Sequence, residues 1–407
     1  MKILILTQYF PPEVGAPQNR LFELAVRLRK KGAEVTILTA MPNYPSMEIH
    51  KEFKGKFYAC EEKDNLKIHR SWIYVSKSKG IFKRLINYFS FVFTSFWVGL
   101  FKIKKTDYII CESPPLFLGI TAYFLKIFKR SKLVFNVSDL WPESAEKLGL
   151  ISNNFFLKSA TILEEFLYRK SALISGQTQG ICADITRRFP KKKVYWLPNG
   201  VDLEFYQVNE ISRDWRIENN FHDSDILCLY AGIIGHAQGL EVILKAANLL
   251  RENTNLKFLL VGSGPEKEKL ISLKAELKLE NVYFFDAVSK KEMPQIVASS
   301  DISVIPLKKL DLFKGAIPSK IFENLAMKKP VLLGVEGEAK ALFVEQGKCA
   351  LAFEPENENK LATQLTKLLS EPKLMTELGE NGLNYVRDNF SRDKIANEFW
   401  EFLQENH

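Results

Sequence analysis

Short apolar runs of strand length alternate with longer segments of helical period along almost the whole chain. Such alternation predicts parallel α/β architecture, because parallel strands need a crossover, usually helical, between them. In the first half, strands are expected at Lys2–Leu6, Glu34–Thr39, Tyr108–Cys111, Lys132–Val137, Ala172–Ser175 and Val194–Leu197. Helices are expected at Pro17–Lys31, Ile81–Lys104, Leu116–Phe128, Asn154–Arg169 and Thr178–Phe189. A Pro-Asn-Gly break within Leu197–Asp202 leads into a polar stretch to about Asp225. The alternation then restarts, with strands near Ile226–Ala231, Lys257–Val261, Val282–Phe285, Ile302–Pro306, Val331–Gly334 and Ala350–Phe353. Lys394–Glu405 carries Ile395, Phe399 and Phe402 on one side and reads as an amphipathic helix that packs back on the first half.

Two α/β halves joined by a short linker predict two Rossmann-like domains facing across a cleft. The expected division is residues 1–200, 201–385 and a returning helix at 386–407. Ligands of such sheets bind at the carboxyl ends of the strands, so the chemistry is sought in the loops that follow them.

A length of 407 residues with 46% hydrophobic content suffices for two cores. The five cysteines (Cys60, Cys111, Cys182, Cys228, Cys349) are scattered and mostly inside apolar runs, as expected of thiols in a reducing compartment. Five histidines without a ligand pair argue against a dedicated metal site. Met1–Thr7 reads as a strand that ends in a Pro-Pro loop, not as a secretory leader. The net charge of +9 is concentrated beside apolar helices instead of forming an exposed stripe with a reading motif, which excludes a nucleic-acid partner.

One of those helices is unusual. Leu85–Phe101 holds seven aromatic residues and is flanked by Lys83 and Arg84 before it and Lys102, Lys104 and Lys105 after it. It is short for a membrane span and carries Asn87, Ser90, Thr94 and Ser95, so an interfacial helix with basic anchors fits it better. A buried crossover helix is the alternative. Leu116–Phe128, followed by Lys129, Arg130 and Lys132, is a second element of the same kind.

Several loops can carry chemistry. Gln8–Asn19 holds Gly15 ahead of the first helix; backbone without a Cβ admits a ligand closely, and helix amides stabilise an anion. It reads equally as a plain turn. Val261–Pro265 (V-G-S-G-P), with Gly262, Ser263 and Gly264, offers the same two readings. It is not G-x-G-x-x-G, which removes the best support for a nicotinamide site. In Gly315–Met327, Pro318 and Ser319 stand where a helix should begin, Ser319 as a candidate cap. Glu323 lies one turn further, placed either to hold a ribose diol or simply to face solvent. Asp139, at the end of the strand Lys132–Val137, either binds an acceptor hydroxyl or caps the next turn. Asp223-Ser224-Asp225 has the form of a metal motif but precedes a strand, and reads as a turn.

In combination these segments resemble a known family. P-P-E-V-G-A-P-Q-N-R, M-P-N-Y-P, S-D-L-W-P-E-S, L-P-N-G-V-D, A-Q-G-L-E, V-G-S-G-P and the Glu323 helix are similar to retaining GT-B glycosyltransferases of family four. The likeness covers nearly the whole chain and is closest to bacterial O-antigen and capsule transferases of the L-fucosamine transferase type. It implies transfer from a nucleotide-sugar donor, usually a UDP-sugar, to a hydroxyl acceptor with retention and no metal. With the apolar helices, it implies a polyprenyl-diphosphate-linked saccharide acceptor and a cytoplasmic protein docked on the inner face of the cell membrane. Glu323 matches the second glutamate of the family's E-x7-E motif, which holds the ribose. Gly15, with Ala16 and Asn19 beside it, matches the loop that meets the donor phosphate. Gly235, Gln238, Ala287 and Val288 fall in the donor-side loops, and Asp139 near the acceptor-side position.

The sequence departs from that pattern in its charges. The first glutamate of E-x7-E is Gly315, and the family's Arg and Lys align with Ile233 and Gln238. His236 and Lys320, with the amides near Pro318, are expected to supply the positive potential for the leaving diphosphate; Arg20 and Lys308 are the alternatives. Two rival readings are a nonhydrolysing UDP-sugar 2-epimerase, which has no need of the aromatic helix, and a membrane-docked scaffold that has lost activity.

Overall fold

The computed structural model describes residues 1–13, 15–44, 46–77, 81–147, 149, 151, 153–207 and 214–407, excepting the side chains at 81, 82 and 84. Val14 and Pro45 of the quoted motifs, the Arg84 side chain and part of the polar stretch after Asp202 lie outside them. The chain forms two compact units, Met1–Asn199 with Ile395–His407, and Gly200–Lys394.

The first unit holds strands β1 (Lys2–Leu6), β2 (Glu34–Ala40), β3 (Tyr58–Lys63), β4 (Leu66–Ser71), β5 (Tyr108–Ser113), β6 (Lys132–Val137), β7 (Leu173–Gly176) and β8 (Val194–Trp196). Its helices are α1 (Ala16–Lys30), α2 (Ile81–Lys102), α3 (Leu118–Lys129), α4 (Glu143–Lys147), α5 (Asn154–Lys170) and α6 (Gln179–Arg188). The sheet order is β3-β4-β2-β1-β5-β6-β7-β8. All pairings are parallel except β3 with β4. That antiparallel hairpin is absent from the sequence-based expectation. Its exposed edge strand has little apolar alternation, and its signal is the turn Asp64-Asn65, both at positive φ (52° and 59°).

The second unit holds β9 (Ile226–Ala231), β10 (Leu256–Val261), β11 (Val282–Phe285), β12 (Ile302–Pro306), β13 (Val331–Gly334) and β14 (Ala350–Ala352). These form an all-parallel sheet in the order β11-β10-β9-β12-β13-β14. Helices α7 (Asp214–Glu218), α8 (Glu241–Leu249), α9 (Lys267–Glu276), α10 (Met293–Ser299), α11 (Lys320–Ala326), α12 (Glu338–Lys340), α13 (Glu358–Ser370) and α14 (Pro372–Phe390) complete it. Strands buried on both faces read as continuous apolar runs, which is why β9, β12 and β13 stand where the sequence pattern puts them. Asp225 accepts from the His222 amide and closes a turn ahead of β9.

The chain returns to the first unit between residues 394 and 395, later than the 385/386 boundary expected. The reason is Phe390: its ring lies 5.1 Å from Phe322 and 5.8 Å from Phe343 and holds the end of α14 in the second core. The last helix, α15 (Arg392–Glu405), then buries Ile395, Ala396, Phe399 and Leu403 in the first core. The Tyr108 hydroxyl donates to the Leu403 carbonyl at 2.9 Å, and the Tyr195 ring stacks on Phe402 at 4.5 Å.

Candidate functional site

In the second unit the loops after β9 and β10 lie against each other. Gly232 N–H donates to the Val261 carbonyl at 2.9 Å, Ile234 N–H to Ser263 at 2.9 Å, and Glu266 N–H to Ile234 at 3.1 Å. This close approach requires the two glycines of V-G-S-G-P. A Cβ at Gly262 would stand 1.9 Å from the Gly232 carbonyl oxygen, and one at Gly264 2.2 Å from that of Ile234. Their φ values of +153° and +157° are rare for other residues. Gly262 and Gly264 therefore set the path of a double loop; between the two readings of the motif, the packing supports the turn. Ser263 at its tip is exposed.

α11 runs from the end of the loop after β12, and Lys320 opens it. The Lys320 Nζ sits 3.9 Å from the centroid of the Tyr230 ring on β9. A Cβ added at Gly232 would meet it at 2.6 Å, so the side chain occupies the space that this glycine leaves. Burial pushes Lys320 down to about 7, and the Glu323 carboxylate one turn on pulls it back only in part. Glu323 is itself partly buried. Lys320, Glu323, Tyr230 and Gly232 thus meet at the carboxyl edge of the sheet, where such folds bind ligands.

The helix start differs from expectation. Ser319 has helical φ and ψ (−58°, −31°) and its side chain caps nothing. Entry is a tight turn instead, with Ile321 N–H to Pro318 and Phe322 N–H to Ser319. At seven residues, α11 offers only a small dipole. The His236 side chain is 77% exposed, and Nδ1 lies 3.1 Å from a Glu266 carboxylate oxygen. Gly235 and Gln238 flank it, partly exposed, in the short turn His236–Gln238 that ends at Gly239. Ile233, at the family's arginine position, is 63% exposed. Gly315 is exposed, with nothing within 4 Å of an added Cβ. Ala287 and Val288 follow β11 in a surface loop, next to the Asp286–Lys267 pair at 2.6 Å. Lys308 donates its backbone N–H to Ala237 and packs its side chain beside Gly239.

In the first unit, Gly15 precedes α1 in extended conformation (φ 176°), with the Gln18 amide over the place of its missing Cβ. Ala16 is exposed and the Asn19 amide donates to the Gly15 carbonyl at 3.0 Å. Arg20, the alternative cation, is engaged through one nitrogen within the first unit. It is buried, and Nη2 donates at 2.6 Å to both Glu112 and Ser138. Asn136 donates to the other Glu112 oxygen and accepts from Ser175 at 2.7 Å, which joins the ends of β5, β6 and β7. Asp139, half-buried next to this network, accepts from the Ser144 hydroxyl at 2.7 Å. Burial raises its carboxyl above the usual range, against the lowering effect of Ser144 and the Leu140 amide. It therefore braces the following turn while keeping an accessible edge.

Sequence reasoning missed Tyr230, Gly232 and the Glu13 staple. Glu13 accepts from the amides of Asn43 at 2.8 Å and Tyr44 at 2.9 Å, tying the loops after β1 and β2 together. Glycine in A-G-I-I-G was a signal for Gly232; nothing local marks Tyr230, whose contact is made across sequence.

The aromatic helix is turned inside out. Asn87, Phe91 and Ser95 of α2 are buried, and the Ser95 hydroxyl lies 3.3 Å from Thr121 on α3. Phe89, Phe93, Trp97 and Phe101, spaced by four, are all exposed, as are Phe124, Ile127 and Phe128 on α3. Phe96 joins the two rows, 6.1 Å from Phe124 and 5.9 Å from Phe128. α2 is thus a crossover helix that also presents an apolar face rimmed by the exposed Lys83, Lys102, Lys104, Lys105 and Arg130. Leu85–Lys102 has the length and mean hydropathy (1.2) of a span, but its polar side is packed on the domain.

Two parallel-sheet Rossmann-like units describe a GT-B fold, and the family models that match each of them make the chain a glycosyltransferase. Residues 18–205 match the family Glycosyltransferase Family 4, and residues 212–385 match Glycosyl transferases group 1. The chain is 26% identical over 413 residues to the putative colanic acid biosynthesis glycosyl transferase WcaI of Escherichia coli, covering 98% of each. It is also 26% identical to the Campylobacter jejuni N-acetylgalactosamine-N,N'-diacetylbacillosaminyl-diphospho-undecaprenol 4-alpha-N-acetylgalactosaminyltransferase, over 62% of this chain and 66% of that one. Among solved structures, Anabaena Alr3699/HepE in complex with UDP and glucose superposes with a TM-score of 0.72 at 17% identity, over 99% of each chain.

Proposed function

We propose that this glycosyltransferase of polysaccharide biosynthesis moves a sugar from a UDP-sugar to a polyprenyl-diphosphate-linked saccharide, with retention and without a metal. The observation that carries the reading is the cationic site at the carboxyl edge of the second unit, where Lys320 faces Tyr230 with Glu323 beside it. A diphosphate leaving group needs fixed positive potential as its charge develops, and Lys320 supplies it. Glu323 holds the ribose hydroxyls. The bond from the anomeric carbon to the diphosphate oxygen breaks as the acceptor oxygen attacks from the same face. The acceptor proton passes to the departing phosphate oxygen. Asp139 orients the acceptor hydroxyl and forms no covalent sugar adduct.

The Campylobacter relative acts, by its name, on a diphospho-undecaprenol acceptor, which supports the lipid-linked acceptor. The exposed aromatic face of α2 and α3, with its basic rim, supports docking on the inner face of the membrane. The donor sugar is read as an N-acetylated deoxyhexose and the product as O-antigen or capsular polysaccharide, on the resemblance of the quoted motifs. Neither rival is favoured: both matched families are glycosyltransferases. The test is a panel of UDP-sugars incubated with the full chain and a polyprenyl-diphosphate saccharide. Sugar transfer with UDP release and retained configuration is expected. A UDP-sugar epimer formed without acceptor, or a glycosyl adduct on Asp139, would overturn it.

A further inference from the structure

The segment that follows β12 carries three lysines, and they are not equivalent. The Lys309 ammonium lies 2.6 Å from Glu354, and that of Lys314 lies 2.7 Å from Asp311. Lys308 is partly buried, and among the described residues its ammonium has no acceptor within hydrogen-bond or ion-pair reach. Two carboxylates stand near it, and both are engaged elsewhere. Glu356 accepts from the Lys309 amide at 2.8 Å, and Glu241 pairs with Lys269 at 2.7 Å.

The Lys308 stem is held against the loop after β9. Its amide donates to the Ala237 carbonyl at 3.0 Å, and its Cγ would stand 3.3 Å from a Cβ added at Gly239. With a φ of +58° that position favours glycine, and the missing Cβ leaves the stem its room. The loop, residues 232–239, is thus met by a lysine at each end: Lys320 at Gly232, and Lys308 at Ala237 and Gly239. Between those ends it has no lysine or arginine of its own, and the His236 ring lies 3.1 Å from a Glu266 oxygen.

We propose that Lys308 is a second cation of the donor site: its ammonium binds a phosphate oxygen of the nucleoside diphosphate, with Lys320 at the other end of the loop after β9. The inference rests on reading the second unit as the donor site and adds a contact to it. A nucleoside diphosphate brings at least two negative charges, while the Glu323 carboxylate offsets part of the Lys320 charge. Lys320 by itself therefore leaves the ligand undercompensated. Lys308 meets that shortfall, because a lysine serves phosphate as a point charge and this one has no competing partner.

The experiment is calorimetric titration of UDP into the full chain at low and high salt, wild type against Lys308→Met and Lys309→Met. Having lost a hydrogen bond from a charged group, Lys308→Met should bind UDP about tenfold more weakly at low salt. Its affinity should also fall less steeply with added salt than that of wild type. Lys309→Met removes the same charge one residue along, where Glu354 already holds it; its affinity should change by less than about twofold. Should Lys308→Met not fold, Lys308→Gln, with a neutral polar head, gives the same comparison. Unchanged UDP affinity in the Lys308 variant, or an equal loss in Lys309→Met, overturns the contact. An absence of UDP binding by wild type overturns the donor-site reading beneath it, and the two failures are distinct.

Discussion

At the residue scale, Lys320 and the glycines around it make opposite demands on the fold. Lys320 is depressed to about 7 from an ordinary 10.5, so between those values the unfolded chain binds the proton more readily than the folded one. The free protein therefore gains stability from this group as pH rises from 7 towards 10.5, and carries the full penalty below 7. Lys320→Met should raise the melting temperature of the unliganded protein at pH 6 and do so much less at pH 10, while removing transfer activity. Equal increments at both pH values, or a loss at pH 6, would contradict the burial argument. Gly264 has no such latitude. With 2.2 Å between an added Cβ and the Ile234 carbonyl oxygen, Gly264→Ala must shift one loop, and is expected to cost about 2–4 kcal/mol. Denaturant titration measures that directly; a change below about 0.5 kcal/mol would show that the double loop yields easily.

At the scale of elements, α2 separates two roles that its composition alone could not. Its apolar content suggested either an interfacial or a buried crossover helix. The structure makes it a crossover helix that keeps an exposed apolar face, because Asn87 and Ser95 face the domain while Phe93, Trp97 and Phe101 face away. If that outer face docks on lipid, Trp97→Asp with Phe101→Asp should lower binding to anionic vesicles by roughly tenfold or more. Since both side chains are exposed, the melting temperature should change little. Unaltered flotation with vesicles would remove the docking role from α2. The same contrast explains what was legible beforehand. Strands buried on both faces, such as Ile302–Pro306, announce themselves as unbroken apolar runs. The hairpin of β3 and β4 does not, because Glu61, Glu62, Lys63 and Lys67 give its edge no clear alternation. Within the candidate site, Lys320 and Glu323 stood out by their place in a recognisable segment. Tyr230 did not, because its part depends on β9 and α11 meeting, which is a tertiary fact.

For the molecule as a whole, the proposed function turns on the assignment of donor chemistry to the second unit. In the proposed function Lys320 supplies the charge there, with Glu323 beside it and the double loop next to them. A ligand that binds only the folded state stabilises it by about 2.7 kcal/mol at a hundredfold excess over its dissociation constant. For a unit of this size that is about 5–10 °C in melting temperature. The most direct test is therefore thermal unfolding of the full chain with saturating UDP, wild type against Lys320→Met. A shift of that order in wild type, nearly abolished in Lys320→Met despite its equal or greater stability without ligand, is the predicted result. An equal shift in both proteins would contradict the account.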